Sequence, residues 1–334
     1  MEAALYDAAD GYYRKPRDPF GKHGDFYTAE QIQPVFGILM AARIRALYKE
    51  MGSPADFTVV ELGAGRGEMA AAFSEWRYIP VDLAAGALPD RFHGVVFANE
   101  FFDALPVEAV TFRDGCFHEM RVAWERKGVR VRAADEDRIS RGSGGAAAPR
   151  FARVSQEGRF VWSEGQVVRK EAADYLRRYC PPPLDGSVYE VNLDALAWLE
   201  RIARALAAGF VLTIDYGYTR AESVRFPRGT LMSYRNHRAD EDVLADPGEQ
   251  DITAHVPFTA LEEHGGQLGL RTVRFETLAE TLLAAGEPDQ FAAALAAPTS
   301  AEELRRRMQL KSLLFGMGET FRTLLQQAGE AYAK

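Results

Sequence analysis

The chain has 334 residues, and its 47% hydrophobic and 26% charged residues predict a globular protein of one large domain or two. Its net charge of −8 argues against a general nucleic-acid binder, which would usually be basic. No apolar run approaches the ~18 residues needed to cross a membrane, the cysteines Cys116 and Cys180 are too few for a disulfide framework or a zinc site, and no signal pattern opens the chain, so a cytoplasmic protein is expected.

The N-terminal part of the chain, around residues 18–28, is rich in Gly, Pro and aromatic residues. Aromatic side chains this dense are seldom left in water, so an ordered loop is expected. Apolar residues then recur at i, i+3 and i+4 and predict a helix over 29–49, with Thr28 as its N-cap. Because Pro34 lies in the first turns, the helix could begin nearer Gln33.

A buried strand is predicted over 57–62, and a glycine-rich turn follows it. Glycines allow positive φ and leave no Cβ, so a ligand can lie against the backbone. Dinucleotide-binding loops place the third glycine one residue later than this chain does. The spacing here is E-x-G-x-G-x-G and resembles motif I of the class I S-adenosylmethionine-dependent methyltransferases. A helix is expected from the turn to about residue 75. The motif residues are Glu61, Gly63, Gly65 and Gly67.

A second strand is predicted over 77–82 and ends in Asp82. A carboxylate at the tip of this strand can accept from two ribose hydroxyls of a nucleoside, although an N-cap or a surface carboxylate explains it equally well. Residues 83–93 are too few for a full helix and a third strand. This short segment leaves the adenine site of the cofactor unassigned.

Two further buried strands end in polar groups. The strand predicted over 94–98 is followed by the polar and aromatic stretch 99–106, and the strand over 210–217 contains Asp215 near its end. Open α/β sheets bind ligands at the carboxyl edge of their parallel strands. The alternation of strands and helices predicts an α/β protein with a Rossmann-like, doubly wound sheet.

The remaining segments suggest additions to this sheet. Short β runs at 107–112, 117–123 and 129–131 predict a β-rich insertion, and the apolar spacing over 301–328 predicts one or two final helices. The expected organisation is an N-terminal loop and helical segment (1–52), a core (53–106 and 186–285), a β-rich insertion (107–168) and C-terminal helices (300–334).

Five stretches together resemble the MidA-type family, which includes the mitochondrial complex I assembly arginine methyltransferase and its bacterial relatives. The resemblance implies a Rossmann-like methyltransferase domain with added helical and β parts, and S-adenosylmethionine as the methyl donor. For the mitochondrial relative it implies an arginine of a protein partner as the substrate. The matching stretches are 24–29 with 36–37, 61–67, 99–106, 215–217 and 246–256.

The predicted site has a cofactor part and a catalytic part. Glu100 and Asp103 suit the binding of a guanidinium, although both could be structural. His255 could orient or deprotonate the acceptor, although an isolated histidine is more often structural. The predicted cofactor-binding residues are Gly24, Asp25, Thr28, Glu61, Gly63, Gly65, Gly67, Asp82 and Asn99.

The predicted function is an S-adenosylmethionine-dependent methyltransferase that acts on a protein side chain, with arginine as the leading acceptor. The alternatives are a small-molecule methyltransferase and a non-catalytic assembly factor that keeps the fold. We expect no metal, no general nucleic-acid binding and no membrane span, and a homodimer stays open. Methyl transfer is an in-line displacement that requires alignment and the exclusion of water.

Overall fold

The computed structural model describes residues 1–21, 24–25, 28–83, 86–126 and 158–329. The strands in chain order are β1 (Phe57–Leu62), β2 (Arg77–Val81), β3 (Phe92–Asn99), β4 (Glu108–Arg113), β5 (Cys116–Arg126), β6 (Gly158–Val167), β7 (Val188–Val191), β8 (Leu206–Tyr218), β9 (Met232–Arg235), β10 (Arg238–Asp240), β11 (Asp251–Thr253), β12 (Val256–Pro257), β13 (Arg271–Thr277) and β14 (Phe321–Ala328). The α-helices are α1 (Glu2–Tyr6), α2 (Val35–Glu50), α3 (Lys170–Tyr179), α4 (Leu193–Ala205), α5 (Phe258–Gln267), α6 (Leu278–Gly286), α7 (Ala292–Leu295), α8 (Ser300–Ser312) and α9 (Gly318–Thr320).

The central sheet has the strand order β13-β14-β8-β3-β1-β2, with β12 beside β8. Strand β1 pairs in parallel with both β2 and β3, β3 pairs in parallel with β8, and β14 runs antiparallel to β8 and β13. The chain therefore places β2 on one side of β1 and then β3 on the other side. This change of direction places a ligand-binding crevice at the carboxyl ends of β1 and β3, as in other open α/β sheets.

The sheet is apolar on both faces because helices cover both. All six residues of β1 are buried. Val59 belongs to the core cluster that includes α2, whereas its neighbour Val60 belongs to the cluster that includes α4 and α5. Successive side chains of a strand point to opposite faces. The near-continuous apolar run of β1 is thus what a doubly covered parallel sheet requires, and it confirms the predicted fold class.

Two smaller sheets are added to this core. Strands β6-β5-β4-β7 form an antiparallel sheet, and β10-β9-β11 form another. The β runs predicted at 107–112 and 117–123 are confirmed as β4 and β5, whereas the run at 129–131 lies outside the described residues. The division of the chain into domains stays a prediction. Among the described residues, no helix is long and apolar enough to cross a membrane.

The helix predicted after the glycine loop is wrong, because residues 68–76 form a series of turns. Their backbone hydrogen bonds alternate in span: Ala70 N–H donates to the Gly67 carbonyl, three residues back, and Phe73 N–H donates to the Met69 carbonyl, four residues back. Met69 and Phe73 are both fully buried. Packing of these two side chains in the core overrides the helix propensity of the alanine-rich run.

The start of α2 agrees with the alternative drawn from Pro34. Thr28 precedes a 3₁₀ turn, Ala29–Gln31, and its N–H donates to Gln31 Oε1 at 3.3 Å. The α-helix itself begins at Val35. A proline lacks the N–H that an interior helical position donates, so the helix begins after it.

The final helices predicted over 301–328 are only partly correct. Helix α8 and a π-helix, Leu313–Met317, occupy the first part, but residues 321–328 form β14. Eight residue pairs join β14 to β8, and its Gln326 Nε2 donates to the Leu261 carbonyl at 3.2 Å. These long-range partners, which the local spacing does not contain, decide the strand.

The placement of β14 inside the sheet can be tested by truncation of Leu324, which is fully buried. We expect Leu324→Ala to lower the free energy of unfolding by about 2–5 kcal/mol, because it leaves a cavity in the core cluster between the sheet and α5. The control is Leu304→Ala, a side chain in α8 that is 62% exposed, for which a change within about 0.5 kcal/mol is expected. Urea unfolding measures both, and equal effects would contradict the buried strand.

Candidate functional site

A cavity of about 1750 Å³ lies at the carboxyl edge of the central sheet. Its wall combines the ends of β1, β3 and β8 with residues from β11 and from the N-terminal segment. Eight of the predicted site residues line it, and four do not. The lining residues are Thr28, Gly63, Gly65, Asp82, Asn99, Glu100, Asp103 and His255. Gly24, Asp25, Glu61 and Gly67 lie outside the wall.

The glycine loop needs its glycines for conformation and for space. Gly63, Gly65 and Gly67 have φ of +71°, +50° and +74°, which other residues rarely adopt. A Cβ on Gly63 would lie 3.1 Å from the Phe101 ring, and a Cβ on Gly65 would lie 3.4 Å from the Phe20 ring. The loop therefore presents bare backbone to the cavity, which fits a cofactor packed against it.

Asp82 reaches the same loop from the end of β2. Its Oδ2 accepts the Gly65 N–H at 2.6 Å, and its Oδ1 accepts the Leu83 N–H. Each carboxylate oxygen has a second lone pair that can still accept from a hydroxyl. The structure thus brings Asp82 to the glycine loop, and its role toward a ribose stays a prediction.

Glu61 lies behind the loop and supports it. The side chain is fully buried, and its Oε2 accepts the Tyr78 hydroxyl. Burial raises the pKa of Glu61 to about 7. Burial and the neighbouring Glu61 carboxyl also raise the pKa of Glu30 well above its ordinary value. The two acids form a buried pair that holds a proton near neutral pH.

Gly24 and Asp25 fix the N-terminal segment. A Cβ on Gly24 would lie 2.2 Å from the Pro19 carbonyl oxygen, so the chain closes tightly there. Asp25 is buried, and its carboxylate accepts the Tyr12 hydroxyl at 2.7 Å and the Asn236 N–H at 2.8 Å. These contacts explain both residues as structural supports, and a contact with a cofactor stays untested.

The N-terminal segment also contacts the glycine loop directly. Arg66 of the loop forms an ion pair with Asp18 at 2.6 Å, and its guanidinium lies 5.5 Å from the centre of the Phe20 ring. The segment thereby covers one side of the cavity. A cofactor held at the loop would be shielded from water on that side, as methyl transfer requires.

Glu100 occupies a strained position just after β3. Its φ is +51°, and its N–H donates to the Ile214 carbonyl at 2.9 Å. Its Oε1 accepts the Ala29 N–H at 3.0 Å and Asn99 Nδ2 at 3.2 Å. Burial, followed by the nearby Asp103 carboxylate, raises the pKa of Glu100 to about 8. A non-glycine residue at positive φ costs roughly 1–3 kcal/mol, and such strain clusters at functional sites.

Asp103 continues the acidic wall. Burial raises its pKa to about 6, and a hydrogen bond with the Tyr216 side chain opposes the rise. Its Oδ1 is buried and has no hydrogen-bond partner among the described residues. Glu100 and Asp103 both lie in the short connection between β3 and β4, and both line the cavity, while their catalytic role stays a prediction.

The sequence-based site omitted two acids, one behind this wall and one in it. Asp215 is fully buried behind the loop, and its Oδ2 accepts the N–H groups of Phe102 and Asp103. Asp251 lies in the wall, its Oδ1 accepts the Tyr13 hydroxyl at 2.8 Å, and burial raises its pKa to about 7. Both acids stand in stretches that carried the family resemblance, which is the signal that could have identified them.

His255 lies in an aromatic part of the wall. Its ring centre is 5.2 Å from that of Tyr216 and 5.1 Å from that of Phe226. Burial lowers its pKa below the ordinary value, so the ring is neutral at neutral pH. Its Nδ1 has no partner among the described residues. The arrangement leaves a neutral ring nitrogen for a ligand, and its catalytic role stays a prediction.

The strand order and the glycine loop define a Rossmann-like fold of the class I methyltransferase type. The family described as "Putative S-adenosyl-L-methionine-dependent methyltransferase" matches residues 73–276. The chain belongs to this family, so its cofactor is S-adenosylmethionine. A crystal structure of a Burkholderia thailandensis protein bound to S-adenosyl-homocysteine superimposes with a TM-score of 0.77 at 28% identity, over 100% of this chain and 89% of that chain.

Curated relatives carry a more specific name. The chain is 27% identical to the Drosophila melanogaster homolog of the mitochondrial protein arginine methyltransferase NDUFAF7, over 77% of this chain and 63% of that protein. It is 35% identical to the Xenopus tropicalis protein arginine methyltransferase NDUFAF7, over 80% of this chain and 66% of that protein. The chain thus spans about two thirds or less of the length of these relatives.

Cofactor binding at the glycine loop can be tested with Gly65→Val. The β-branched side chain would occupy the space beside Phe20, so we expect the affinity for S-adenosyl-homocysteine to fall at least about 100-fold, as measured by calorimetry. Gly52→Val is the matched control, because Gly52 has φ +78° and nothing within 4 Å of an added Cβ. Both variants carry the same kind of backbone strain, about 1–2 kcal/mol. Unchanged affinity in Gly65→Val would remove the loop from the cofactor site.

The buried acids also predict how stability depends on pH. Carboxyls with raised folded-state pKa values, such as Glu100 and Asp251, bind more protons in the folded than in the unfolded chain above pH 4.5. Stability therefore falls as pH rises through those values. Between pH 7 and 8.5 we expect a loss of about 2 kcal/mol in urea unfolding, of which Glu100→Gln should remove about half. Stability that rises over this interval would contradict the raised pKa values.

Proposed function

We propose that the chain is an S-adenosylmethionine-dependent methyltransferase that acts on an arginine side chain of a protein. The observation that carries this proposal is the acidic wall formed by Glu100, Asp103 and Asp251, of which Asp103 and Asp251 are buried and Glu100 is partly buried. Buried carboxyls without a cation are costly, and a guanidinium would offset that cost while it orients its nitrogens. The family indicates methyl transfer from S-adenosylmethionine, and the acidic wall supports arginine as the acceptor.

The size of the cavity supports two ligands. Single small-molecule sites usually have ~300–1000 Å³, and this cavity has about 1750 Å³. Such a volume holds the cofactor at the glycine loop and an extended side chain at the acidic wall. The names of the curated relatives, protein arginine methyltransferase NDUFAF7, agree with a protein acceptor.

The chemistry follows from the positions of the chain's own groups. S-adenosylmethionine, when bound, supplies a methyl group on a sulfonium. The acidic wall holds the guanidinium so that one of its terminal nitrogens faces the glycine loop. A carboxylate of the wall, Glu100 in our proposal, takes the proton that this nitrogen loses as the N–C bond forms and the S–C bond breaks. The N-terminal segment keeps water out.

A small-molecule acceptor is the alternative that the aromatic side chains of the wall favour, among them Tyr13, Tyr216 and Tyr234. A protein acceptor and a small-molecule acceptor can be distinguished by the molecules that receive the labelled methyl group. Incubation of the chain with labelled S-adenosylmethionine and a protein extract from its own source, followed by mass spectrometry, would give methyl-arginine for a protein substrate. Label confined to the low-molecular-weight fraction would overturn the protein acceptor.

The role of Glu100 can be tested with Glu100→Gln. We expect turnover to fall at least about 100-fold, because the amide cannot take a proton, whereas the affinity for S-adenosyl-homocysteine should stay within about twofold. Glu171→Gln is the control, since Glu171 is an exposed acid in α3. Turnover and calorimetric affinity are measured on all three proteins. Full turnover in Glu100→Gln would make Glu100 a structural residue.

A further inference from the structure

Three buried oxygen atoms of residues in the cavity wall lack a hydrogen-bond partner among the described residues: Asn99 Oδ1, Asp103 Oδ1 and Thr253 Oγ1. The Thr253 oxygen is a hydroxyl that can donate as well as accept, whereas an amide oxygen and a carboxylate oxygen only accept. Asn99 and Asp103 are 4% and 5% exposed, so water outside the protein does not solvate their two oxygens. A buried acceptor that stays unpaired is costly, and a native structure keeps one only for a reason. Both atoms therefore point to a ligand that brings hydrogen-bond donors.

Chemistry fixes the orientation of the Asn99 amide. Its nitrogen, Nδ2, donates to Glu100 Oε1 at 3.2 Å, and the same Oε1 already accepts the Ala29 N–H at 3.0 Å. With Glu100 ionised, as a bound guanidinium would leave it, an exchange of the amide oxygen and nitrogen would place two acceptors against each other. Asn99 thus supports Glu100 with its nitrogen and leaves its oxygen for the cavity.

The loop that follows β3 separates two sides of the cavity. The Phe101 ring lies against Gly63, on the side of the glycine loop. Asp103 lies on the opposite side, because its carbonyl accepts the Ala254 N–H at 3.0 Å and its N–H donates to Asp215 Oδ2 at 3.3 Å. The Asp103 carboxylate also interacts with the Tyr216 side chain of β8. It consequently lies on the acceptor side, away from the part of the wall that fits the cofactor.

We propose that Asn99 Oδ1 and Asp103 Oδ1 bind two N–H groups of the methyl-accepting guanidinium, so that Asn99 is an acceptor-binding residue and not a cofactor-binding residue. This inference rests on the proposed function and specifies the chemistry of its acceptor. The pair accepts and cannot donate. A guanidinium has five N–H donors and no acceptor, whereas the ureido group of citrulline has a similar shape but carries an oxygen.

The first experiment uses the unaltered chain saturated with S-adenosyl-homocysteine. The probes are Nα-acetyl-arginine methylamide and Nα-acetyl-citrulline methylamide, and their dissociation constants are measured by NMR titration. We expect the arginine probe to bind at least about tenfold more tightly, since a charged hydrogen bond and the avoided contact between two oxygens both favour it. Equal affinities for the two probes would overturn the inference without any substitution.

The second experiment assigns the effect to Asn99. We expect Asn99→Ala to bind S-adenosyl-homocysteine within about twofold of the unaltered chain, which also shows that it folds, and to bind the arginine probe about tenfold more weakly. The control is Thr213→Val, which removes another buried oxygen that has no hydrogen-bond partner in the described part of the chain. Thr213 is 1% exposed, pairs with Ala98 across β3 and β8, and does not line the cavity. This substitution should change neither affinity.

The outcomes separate this inference from the proposed function. Weaker binding of S-adenosyl-homocysteine by Asn99→Ala, with the arginine probe bound normally, would make Asn99 a cofactor residue and leave the proposed function intact. Binding of neither probe by the unaltered chain would overturn the arginine acceptor itself. If Asn99→Ala does not fold, Asp103→Asn replaces it: the cofactor product should bind normally and the arginine probe about tenfold more weakly, and unchanged binding of that probe overturns the inference.

Discussion

The Asp215 carboxylate is the contact on which the site depends. It is fully buried at the end of β8, and it accepts the N–H groups of Phe102, Asp103 and Tyr216. These bonds hold the loop that carries Glu100 in its left-handed conformation, and they connect that loop to the centre of the sheet. Rigid elements support precise sites better than mobile loops do. One buried acid therefore fixes the short connection after β3, which forms part of the cavity wall.

The N-terminal segment completes the site from a distant part of the chain. Its Ala29 N–H donates to Glu100 Oε1, and its Asp25 holds the turn between β9 and β10 through the Asn236 N–H. The exposed ion pair of Asp18 with Arg66 adds little to stability on its own, about 0–1 kcal/mol. The ion pair instead holds the N-terminal segment beside the glycine loop. The segment, the glycine loop and the acidic wall thereby line one cavity although they lie far apart in the sequence.

The sequence predicted those parts whose structure is encoded locally. Strand β1 was placed at its observed bounds because an apolar run ends abruptly at a glycine turn, and the acids Glu100 and Asp103 follow a strand whose carboxyl edge binds ligands. It missed β14, which reads as a helix and becomes a strand only between β8 and β13. It also missed Asp251, because the position of the short β11 depends on its pairing with β9 and not on a local pattern.

In the proposed function, the acidic wall is also the feature that favours a cationic acceptor. Backbone and tyrosine donors, such as the Ile252 N–H and the Tyr13 hydroxyl on Asp251, stabilise part of the buried charge. With these donors in place, burial still raises the pKa of Glu100 to about 8 and that of Asp251 to about 7. A bound guanidinium would lower both pKa values, so acceptor binding would release protons near neutral pH. The cost of the buried acids in the ligand-free wall would thus favour the binding of a cation. The proton released on binding would leave a carboxylate that can accept the proton of the methylated nitrogen.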